Sequence, residues 1–345
     1  MINSTVQGNQ DGEDSLSACS EALSSRKLVT GFEYTPGLFI ALYSILSFIT
    51  FSGNFLILLV LHKVSSIHPP SRALLRCLLI TDLCVGLVSQ PLFVSYLMAI
   101  EEKNRSLCIR IEGLTFAVNS VLIGQSITTL TTISVDRLLA LRLGIRYRQV
   151  VTLARVRLLV TMLWVGNIAL TFAYYWSKPF AFLCCCGWVF MCLIISSCCY
   201  FKIYLVLGYR QVKVHVLPLS QGLGSCSRRR EVLGSGPAQI QDPALNSTNP
   251  RILSVFNISR YKKTVSNAIW VHSILVICYL PLTVATAVTT LRGESLYGTR
   301  NKLLGIITGT IVLFNSTINP FLYCWLMKGI RQAVKDLLGN IFSRS

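Results

Sequence analysis

The sequence predicts an all-α membrane protein, a bundle of seven transmembrane helices followed by a short amphipathic C-terminal helix. Of its 345 residues, 52% are hydrophobic and only 13% are charged, and the mean hydropathy is +0.58. These values are too apolar for an ordinary soluble domain, so a lipid bilayer is the expected solvent. A helix that crosses a bilayer needs about 20 largely apolar residues, and seven almost uncharged runs of that length occur in the chain.

The seven runs follow a polar N-terminal segment and show no internal repeat. They cover residues 37–61, 77–100, 113–135, 158–177, 179–201, 264–291 and 303–327. Helices are expected, because a lipid-facing strand leaves backbone groups unpaired unless a barrel closes, and barrel strands alternate polar and apolar residues. Little more than Lys178 separates the fourth run from the fifth, which predicts a very tight link between these two helices.

Lysine and arginine residues are distributed unequally between the two ends of the bundle. The N-terminal tail, residues 1–36, and the loops on its side hold nine, whereas the opposite loops and the C-terminal segment hold 23. Cytoplasmic loops carry the excess of positive charge, so we expect a multi-pass plasma-membrane protein with an extracellular N-terminus and a cytoplasmic C-terminus. This orientation and attraction to anionic membrane lipids explain the net charge of +18, and no nucleic-acid partner is expected.

The predicted transmembrane domain, residues 37–327, contains one long polar insertion. Residues 209–260 are rich in Gly, Ser and Pro, which predicts a disordered cytoplasmic loop. Residues 328–345 are predicted to form an amphipathic helix and a cytoplasmic tail. The apolar face groups Ile330, Val334, Leu337 and Leu338 away from Lys328, Arg331 and Lys335, which suits a helix lying on the inner membrane surface.

Two asparagines in glycosylation sequons lie on the predicted outer side. These are Asn3, in Asn-Ser-Thr, and Asn104, in Asn-Arg-Ser. Asn246, Asn257 and Asn315 also match the sequon, but the predicted topology places them inside the cell or within a span. We therefore expect glycosylation at Asn3 and Asn104 alone.

Several short motifs occur in order along the seven runs. The first four runs contain Gly53-Asn54, Asp82, Asp136-Arg137 and Trp164 in turn. Tyr200 is near the end of the fifth, Cys278-Tyr-Leu-Pro281 is in the sixth, and Asn315-Ser-Thr-Ile-Asn319-Pro320-Phe-Leu-Tyr323 is in the seventh. Each motif alone is weakly specific, but in this register the chain resembles the rhodopsin-like, or class A, G-protein-coupled receptors over roughly residues 36–340.

The resemblance implies a receptor that transmits binding of an extracellular ligand to a cytoplasmic heterotrimeric G protein. In the family, the arginine matched by Arg137 is restrained by the residue matched by Asp136 when inactive, and it meets the G protein when active. Tyr200 and Tyr323 are expected to rearrange beside it. Pro281 and Pro320 can kink their helices, where a small shift is amplified. The expected switch residues are Asp136, Arg137, Tyr200, Asn319, Pro320 and Tyr323.

Asp82 is the only acidic residue within the seven runs, and burial of its charge in a membrane is costly, so it is a functional candidate. By resemblance, Asp82, Ser126, Asn315 and Asn319 line a small polar cavity that holds Na⁺ in the inactive state. Hard oxygen ligands suit this ion, and the alternative is a protonated Asp82 in a hydrogen-bond network. No other cofactor is expected, and no nucleophile and base converge to indicate an enzyme.

A ligand pocket follows from the same resemblance, by position. Its residues are Glu112, Asn119, Ile123, Trp188, Tyr279, Thr283 and Thr286. Asn119 stands where receptors for biogenic amines carry an aspartate, and the seventh run has no lysine for a retinal Schiff base. The lining is neutral and largely apolar, so we expect a neutral small molecule, a lipid, or a peptide that engages Glu112.

Some positions depart from the family pattern. Leu138 replaces an aromatic residue, Tyr279 replaces a tryptophan, and the proline expected in the fifth run is missing near Cys192. The missing proline and the very short link after the fourth run are similar to features of melanocortin receptors. Cys108 lies about one helical turn further from Arg137 than the family spacing. It could form an extracellular disulfide with Cys184, Cys185, Cys186 or Cys19, and the sequence leaves this choice open.

Two other classes of protein share part of this pattern. A transporter or channel needs polar groups that continue across the membrane, for which Asp82 alone is thin support. A seven-helix receptor that does not couple to G proteins would fit the altered residues near Arg137. Ion flux in reconstituted vesicles would identify the first class, and failure to activate any G protein would favour the second.

Overall fold

The computed structural model describes residues 36–64, 67–102, 104–224, 250–293 and 301–342, and the described part contains helices and no strand. Seven of these helices are long and apolar enough to cross a membrane, which confirms the predicted fold class. We number them α1 Pro36–Leu61, α2 Pro69–Glu101, α3 Arg105–Leu143, α4 Leu153–Trp176, α5 Lys178–Gly224, α6 Pro250–Leu291 and α7 Lys302–Leu326, and α8 Lys328–Phe342 follows.

Most helices extend beyond the apolar runs from which they were predicted. For example, α3 continues to Leu143, although its uncharged run ends at residue 135. A charged residue marks the edge of the lipid but does not interrupt helical hydrogen bonding, so the helix continues into water. The tight link after the fourth helix is confirmed, because Ser177 alone separates α4 from α5.

The segment predicted to be a disordered loop, residues 209–260, is helical at both of its ends. Helix α5 continues to Gly224 and α6 begins at Pro250. Helix therefore extends into both ends of the predicted loop, and the disorder of the loop stays a prediction. Residues 225–249, including Arg228–Arg230, lie outside the described residues.

The helices close into a bundle with α3 at its centre. Helix α1 packs against α2 and α7, α7 against α6, and α6 against α5, whereas α3 contacts α2, α4 and α5. The main apolar core contains Leu78 from α2, Ile127 from α3, Tyr279 from α6 and Tyr323 from α7, and Ile330 from α8 joins it. Apolar contacts therefore link the centre of the bundle to the start of the C-terminal helix.

Helix α2 contains one π-helical segment, Val85–Ser89, at its closest approach to α1. A Cβ added to Gly86 would lie 2.7 Å from the backbone nitrogen of Phe51, so only glycine fits here. Pro91 has no N–H with which to continue the π pattern, and the hydroxyl of Ser47 donates to the Gly86 carbonyl instead, at 2.7 Å. The irregular turn is thus fixed by a hydrogen bond from the neighbouring helix.

The basic end of the bundle is formed by a turn after α3 and by α8. Gly144 ends α3 with φ of 52°, a left-handed conformation that favours glycine, and the short helix Tyr147–Val150 follows. In α8, Ile330 is fully buried, and Val334 and Leu337 pack against the main core, as the predicted apolar face requires. Leu338 is 38% exposed, so it lies at the edge of that face.

Candidate functional site

A buried carboxylate lies at the centre of the bundle. Asp82 of α2 has no exposed surface, and one of its oxygens accepts hydrogen bonds from Ser316 at 2.7 Å and Ser126 at 3.4 Å. Its other oxygen accepts from the side-chain amide of Asn319 at 2.7 Å. Asp82 therefore ties α2 to α3 and α7, and the structure brings together three of the four residues expected around the ion, with Ser316 added.

The polar network continues from Asp82 toward α1. The amide of Asn54 donates to the Ser316 carbonyl at 3.1 Å, and the hydroxyls of Thr50 and Thr317 are 2.6 Å apart. Asn54 and Thr50 are fully buried. Since unpaired polar groups are costly in an apolar interior, these bonds fix the position of α1 against α7.

The chemistry around Asp82 suits a small hard cation. A carboxylate and the hydroxyls of Ser126 and Ser316 offer oxygen ligands, the type that Na⁺ prefers over nitrogen or sulfur. Asn315 is not bonded to Asp82, and its buried amide nitrogen has no hydrogen-bond partner among the described residues. Its role in the predicted site stays a prediction, whereas Ser316 occupies a place beside the carboxylate that we had not assigned to it.

The Asp136-Arg137 pair follows the uncharged run of α3 directly and lies within the helix, which continues to Leu143. One carboxylate oxygen of Asp136 accepts from the Tyr147 hydroxyl at 2.5 Å, and the other accepts from Ser71 at 2.8 Å. The described hydrogen bonds and ion pairs of Asp136 include none to Arg137. The expected restraint of Arg137 by Asp136 stays a prediction, since a carboxylate that accepts from two hydroxyls has lone pairs left for a further donor.

The two switch tyrosines are both buried near the basic end. Tyr323 of α7 is 8% exposed, and its hydroxyl has no hydrogen-bond partner among the described residues. Tyr200 of α5 packs with Leu141, and its ring centre lies 4.9 Å from that of His272 on α6. His272 also contacts the Ser197 hydroxyl at 3.0 Å, so it connects α6 to the Tyr200 face of α5.

The two prolines lie in the interiors of their helices, Pro281 in α6 and Pro320 in α7. A Cβ added to Gly53 of α1 would come within 3.1 Å of the Pro320 ring. The absence of a side chain at Gly53 thus lets α1 approach α7 where the proline removes a backbone hydrogen bond. Asn319, immediately before Pro320, donates to Asp82, so the kink position and the buried acid are in direct contact.

The residues predicted to line the ligand pocket differ in their surroundings. Tyr279, Thr283 and Thr286 of α6 are buried, Asn119 accepts a hydrogen bond from Ser89 of α2, and Ile123 packs between two apolar clusters. Glu112 is half-buried in the first turns of α3. Trp188 is 43% exposed, unlike the α6 residues. No described contact joins all seven, so their assignment as one pocket stays a prediction.

The cysteines correct one expectation. Cys108 is disulfide-bonded, whereas Cys184, Cys185 and Cys186 are free thiols, so a disulfide between Cys108 and any of these three was a wrong prediction. The three lie within α5, where helical geometry holds them in the bundle; Cys186 donates weakly to the Thr283 carbonyl at 3.6 Å. Cys19, the remaining candidate, lies outside the described residues.

For the two predicted glycosylation sites, the structure describes the environment of Asn104 only. Asn104 is exposed and caps α3, where its side chain accepts a hydrogen bond from the Leu107 backbone N–H at 3.1 Å. Asn3 lies outside the described residues. Glycosylation of both therefore stays a prediction.

Three partners of the predicted residues were missed. Ser316 could have been found, because it precedes Asn319 by three residues and therefore shares its helical face. His272 could also have been singled out as a titratable residue inside an apolar run. Tyr147 is joined to Asp136 by the turn after α3, and no local spacing in the sequence indicates that contact.

Seven helices able to span a membrane surround a fully buried acid, which is the arrangement of a multi-pass membrane protein with a polar centre. The family model described as "7 transmembrane receptor (rhodopsin family)" matches residues 53–178 and 170–323. The chain belongs to this family, whose members are receptors and not enzymes. The class inferred from the motifs is thereby confirmed.

Known proteins with similar sequences are receptors of several kinds. The mouse (Mus musculus) adenosine receptor A2b is 29% identical over 39% of this chain and 39% of its own length, and the mouse G-protein coupled receptor 52 is 30% identical over 39% and 37%. The alpha-1A adrenergic receptor of Oryzias latipes is 25% identical over 65% of this chain and 50% of its own. The chain thus spans about half the length of these relatives or less. None of the three is a melanocortin receptor, and that subgroup stays a prediction.

Proposed function

We propose that this protein is a G-protein-coupled receptor of the plasma membrane, which transmits binding of an extracellular ligand to a heterotrimeric G protein at its basic end. One observation carries the proposal: the buried carboxylate of Asp82 joins α2, α3 and α7 through side-chain hydrogen bonds, and Asn54 extends the network to α1. A shift of α7 must therefore change contacts on several helices at once. Such coupled contacts are what a two-state transmembrane switch requires.

The basic end supplies the second part of the mechanism. Asp136 accepts hydrogen bonds from Ser71 of α2 and from Tyr147 of the turn after α3. We infer that the Asp136 contacts hold the turn against α2, and that Arg137 serves the G protein. A ligand that prefers the arrangement with an open groove at Arg137 shifts the population toward it.

We expect contacts of α5, α6 and α7 to change on activation. The Tyr323 hydroxyl is buried and has no hydrogen-bond partner among the described residues. We expect it to gain a partner when Tyr323 rearranges in the active arrangement. The contacts of His272 with Ser197 and Tyr200 hold α6 against α5, and they oppose an outward displacement of α6.

We propose that Na⁺ binds at Asp82 in the inactive state, with Ser126 and Ser316 as hydroxyl ligands. The ion would supply a positive charge that stabilises the ionised carboxylate in its buried position. Thermal unfolding in NaCl and in choline chloride at equal ionic strength tests this. Sodium should stabilise the wild type but not Asp82→Asn, and equal stabilisation of both proteins would reject the site.

For the ligand we propose only a chemical class, because the names of the relatives refer to different ligands. Asn119 contacts Ser89 and places no charge on this part of α3, which favours a neutral ligand or a lipid over an amine. Adenosine, for which one relative is named, is a neutral molecule and belongs in a first screen together with lipids and peptides. Identities of 25–30% do not carry ligand specificity from any relative.

The first experiment measures basal activation of each main G-protein class in cells, comparing wild type with Arg137→Ala at equal surface expression. Arg142→Ala is the matched control, since it removes the same charge five residues further along α3, at a different angle around the helix. We expect a basal signal that Arg137→Ala abolishes and Arg142→Ala largely keeps. That result would also identify the coupled G-protein class.

If no G protein responds in any variant, the ligand screen is repeated with the same three proteins. A ligand response in the wild type that Arg137→Ala removes supports coupling. A ligand that binds without activating any G protein would overturn coupling and leave a noncoupling receptor, and ion flux in vesicles would indicate a transporter.

A further inference from the structure

His272 is a titratable residue in the interface between α5 and α6. It is half-buried and lies at the inner end of the part of α6 that is able to span a membrane. Of the four histidines in the chain, it is the one inside an apolar run, residues 264–291. Histidine is the side chain whose ordinary charge change falls closest to physiological pH, so a contact made by His272 can depend on a proton.

The hydrogen bonds of Ser197 on α5 fix the tautomer of this imidazole. The Ser197 hydroxyl donates its one hydrogen to the Leu193 carbonyl at 2.7 Å. It must therefore accept from His272, whose Nε2 lies 3.0 Å from the same oxygen. The neutral imidazole thus carries its hydrogen on Nε2, and Nδ1 keeps the lone pair to which a further proton can bind.

The second contact of His272 is with a switch tyrosine. Its ring centre lies 4.9 Å from that of Tyr200, and the two rings are inclined by 36°. Tyr200 is 8% exposed and packs in one apolar cluster with Leu141, Ile203 and Leu207. His272 therefore joins α6 to the part of α5 that carries Tyr200, and a change in this imidazole acts on the G-protein end of the bundle through Tyr200.

The surroundings of this contact suit a neutral imidazole better than a cation. Among the described residues, no charged group interacts with His272. Three titratable groups interact electrostatically with its partner Tyr200, and none is a carboxylate: the Cys199 thiol of α5, Arg137 of α3 and Tyr323 of α7. Burial of an ion is costly without a counter-charge, so an imidazolium in this interface is poorly compensated.

We propose that His272 positions Tyr200 in the inactive arrangement, and that protonation of His272 at Nδ1 from the cytoplasm releases α6 from α5. Outward displacement of α6 brings the imidazolium into contact with water, which restores its hydration. Acidification of the cytoplasm therefore shifts the population toward the arrangement with an open groove at Arg137. The inference rests on the proposed function, to which it adds regulation by cytoplasmic pH.

Two effects of the added proton oppose this release. A cation is attracted to the face of an aromatic ring, here that of Tyr200, and a charged donor strengthens the hydrogen bond to Ser197. Neither partner is an anion, so both effects replace only part of the hydration that the imidazolium loses on burial. We therefore expect acid to weaken the contact of α6 with α5, and the sign of the pH effect is itself a test.

Fluorine NMR of the purified full chain in detergent tests the proposal without a G protein. The chain is labelled with 5-fluorotryptophan, because Trp270 lies on α6 two residues before His272 and is 57% exposed. Trp270→Phe assigns its resonance, and Trp164 on α4 serves as the internal reference. From about pH 7.4 to about pH 6, we expect the population of a second Trp270 resonance to rise about threefold in the wild type.

Three variants connect this change to the proton on His272. His272→Gln keeps an N–H donor for Ser197 and does not titrate, so its Trp270 populations should be equal at both pH values. His272→Lys carries a charge at both, and it should show the second resonance at both. His62→Gln is the matched control, since His62 is an exposed histidine on the predicted cytoplasmic side, and it should respond as the wild type does.

A thermal melt of each variant confirms that it is folded. A second population that stays constant or falls in the wild type on acidification would overturn the proposal, as would an equal rise in His272→Gln. Basal G-protein activation is measured separately at clamped cytoplasmic pH. If α6 responds to pH while no G protein is activated, coupling fails and the role of His272 stands, whereas a basal signal with an unresponsive Trp270 leaves coupling and rejects the role of His272.

Discussion

The inner and outer halves of the bundle differ in how their polar side chains are bonded. In the inner half, between Asp82 and the turn at Tyr147, hydrogen bonds join different helices, as at Asp82 with Asn319 and at Asp136 with Ser71. In the outer half, interhelical bonds such as those of Tyr43 with Thr310 and of Ser89 with Asn119 are fewer, and hydroxyls of α6 and α7 mostly bond to carbonyls of their own helix, as Thr283 does to Tyr279.

This difference in bonding suggests that the inner half carries the signalling mechanism and the outer half carries the ligand specificity. An interhelical bond requires two residues to remain together, so the inner half has a defined arrangement that a signal can change. A hydroxyl bonded within its own turn makes little demand on neighbouring helices, and the positions around it can differ without loss of the fold. This explains why the motifs identify a receptor family while leaving the ligand open.

The largest expected effect concerns the disulfide that holds the outer half. The ten other described cysteines are free, and of the two outside the described residues only Cys19 lies on the predicted extracellular side with Cys108. We expect Cys108→Ser and Cys19→Ser each to cost about 2–4 kcal/mol of stability. Peptide mapping without reduction identifies the pair, and thermal melts measure the loss.

Cys198→Ser is the control for this pair, since Cys198 is an exposed free thiol and its loss should leave the melt unchanged. If non-covalent contacts between helices were sufficient to stabilise the outer half, Cys108→Ser would have the same melting temperature as the wild type. A peptide joining Cys108 to any other cysteine would contradict the assignment of Cys19.

The next effect concerns the contact of α1 with the π-helical segment of α2. Gly86→Ala places a Cβ 2.7 Å from the Phe51 nitrogen, so we expect a loss of about 1–3 kcal/mol and reduced surface expression. Gly166→Ala in α4 is the control, because nothing lies within 4 Å of its added Cβ. It should be neutral or slightly stabilising, since alanine favours helix. Equal melting temperatures for the two variants would show that α1 can move away from α2.

The spans and the position of Asp82 could be predicted from the sequence, because apolar runs and a buried acid can each occupy only a few environments in a membrane. Seven apolar runs define seven helices, and a lone intramembrane acid must find hydrogen bonds, so Asp82 could be placed at a polar centre. The partners of Asp136 could not be predicted, because Tyr147 reaches it through a turn at Gly144 whose direction depends on packing. Likewise, nothing in the spacing of Cys184–Cys186 shows that all three are free thiols.

The Tyr147 contact gives a smaller and more specific effect. Tyr147→Phe removes one of the two hydroxyls on the Asp136 carboxylate, which should cost about 1–2 kcal/mol and raise basal G-protein activation. Tyr204→Phe removes the same atom from a side chain that is 64% exposed and should change neither quantity. Unchanged basal activity in Tyr147→Phe, at equal expression, would show that the turn does not restrain the inactive arrangement.

The smallest effect on stability is expected in the outer half, at Thr283. Its hydroxyl donates to the Tyr279 carbonyl at 2.7 Å, which is a bond within α6. Thr283→Val keeps the shape and removes the hydroxyl, so it should shift the free energy of unfolding by less than about 1 kcal/mol. Ser316→Ala, which removes a hydroxyl donor to Asp82, is the inner-half comparison and should lower the free energy of unfolding by more.

If Thr283→Val proved the more destabilising of the two variants, polar bonding in the outer half would matter to the fold, and the assignment of signalling to the inner half and of specificity to the outer half would fail. If instead it changed only the response to a ligand found by screening, Thr283 would be placed in the pocket.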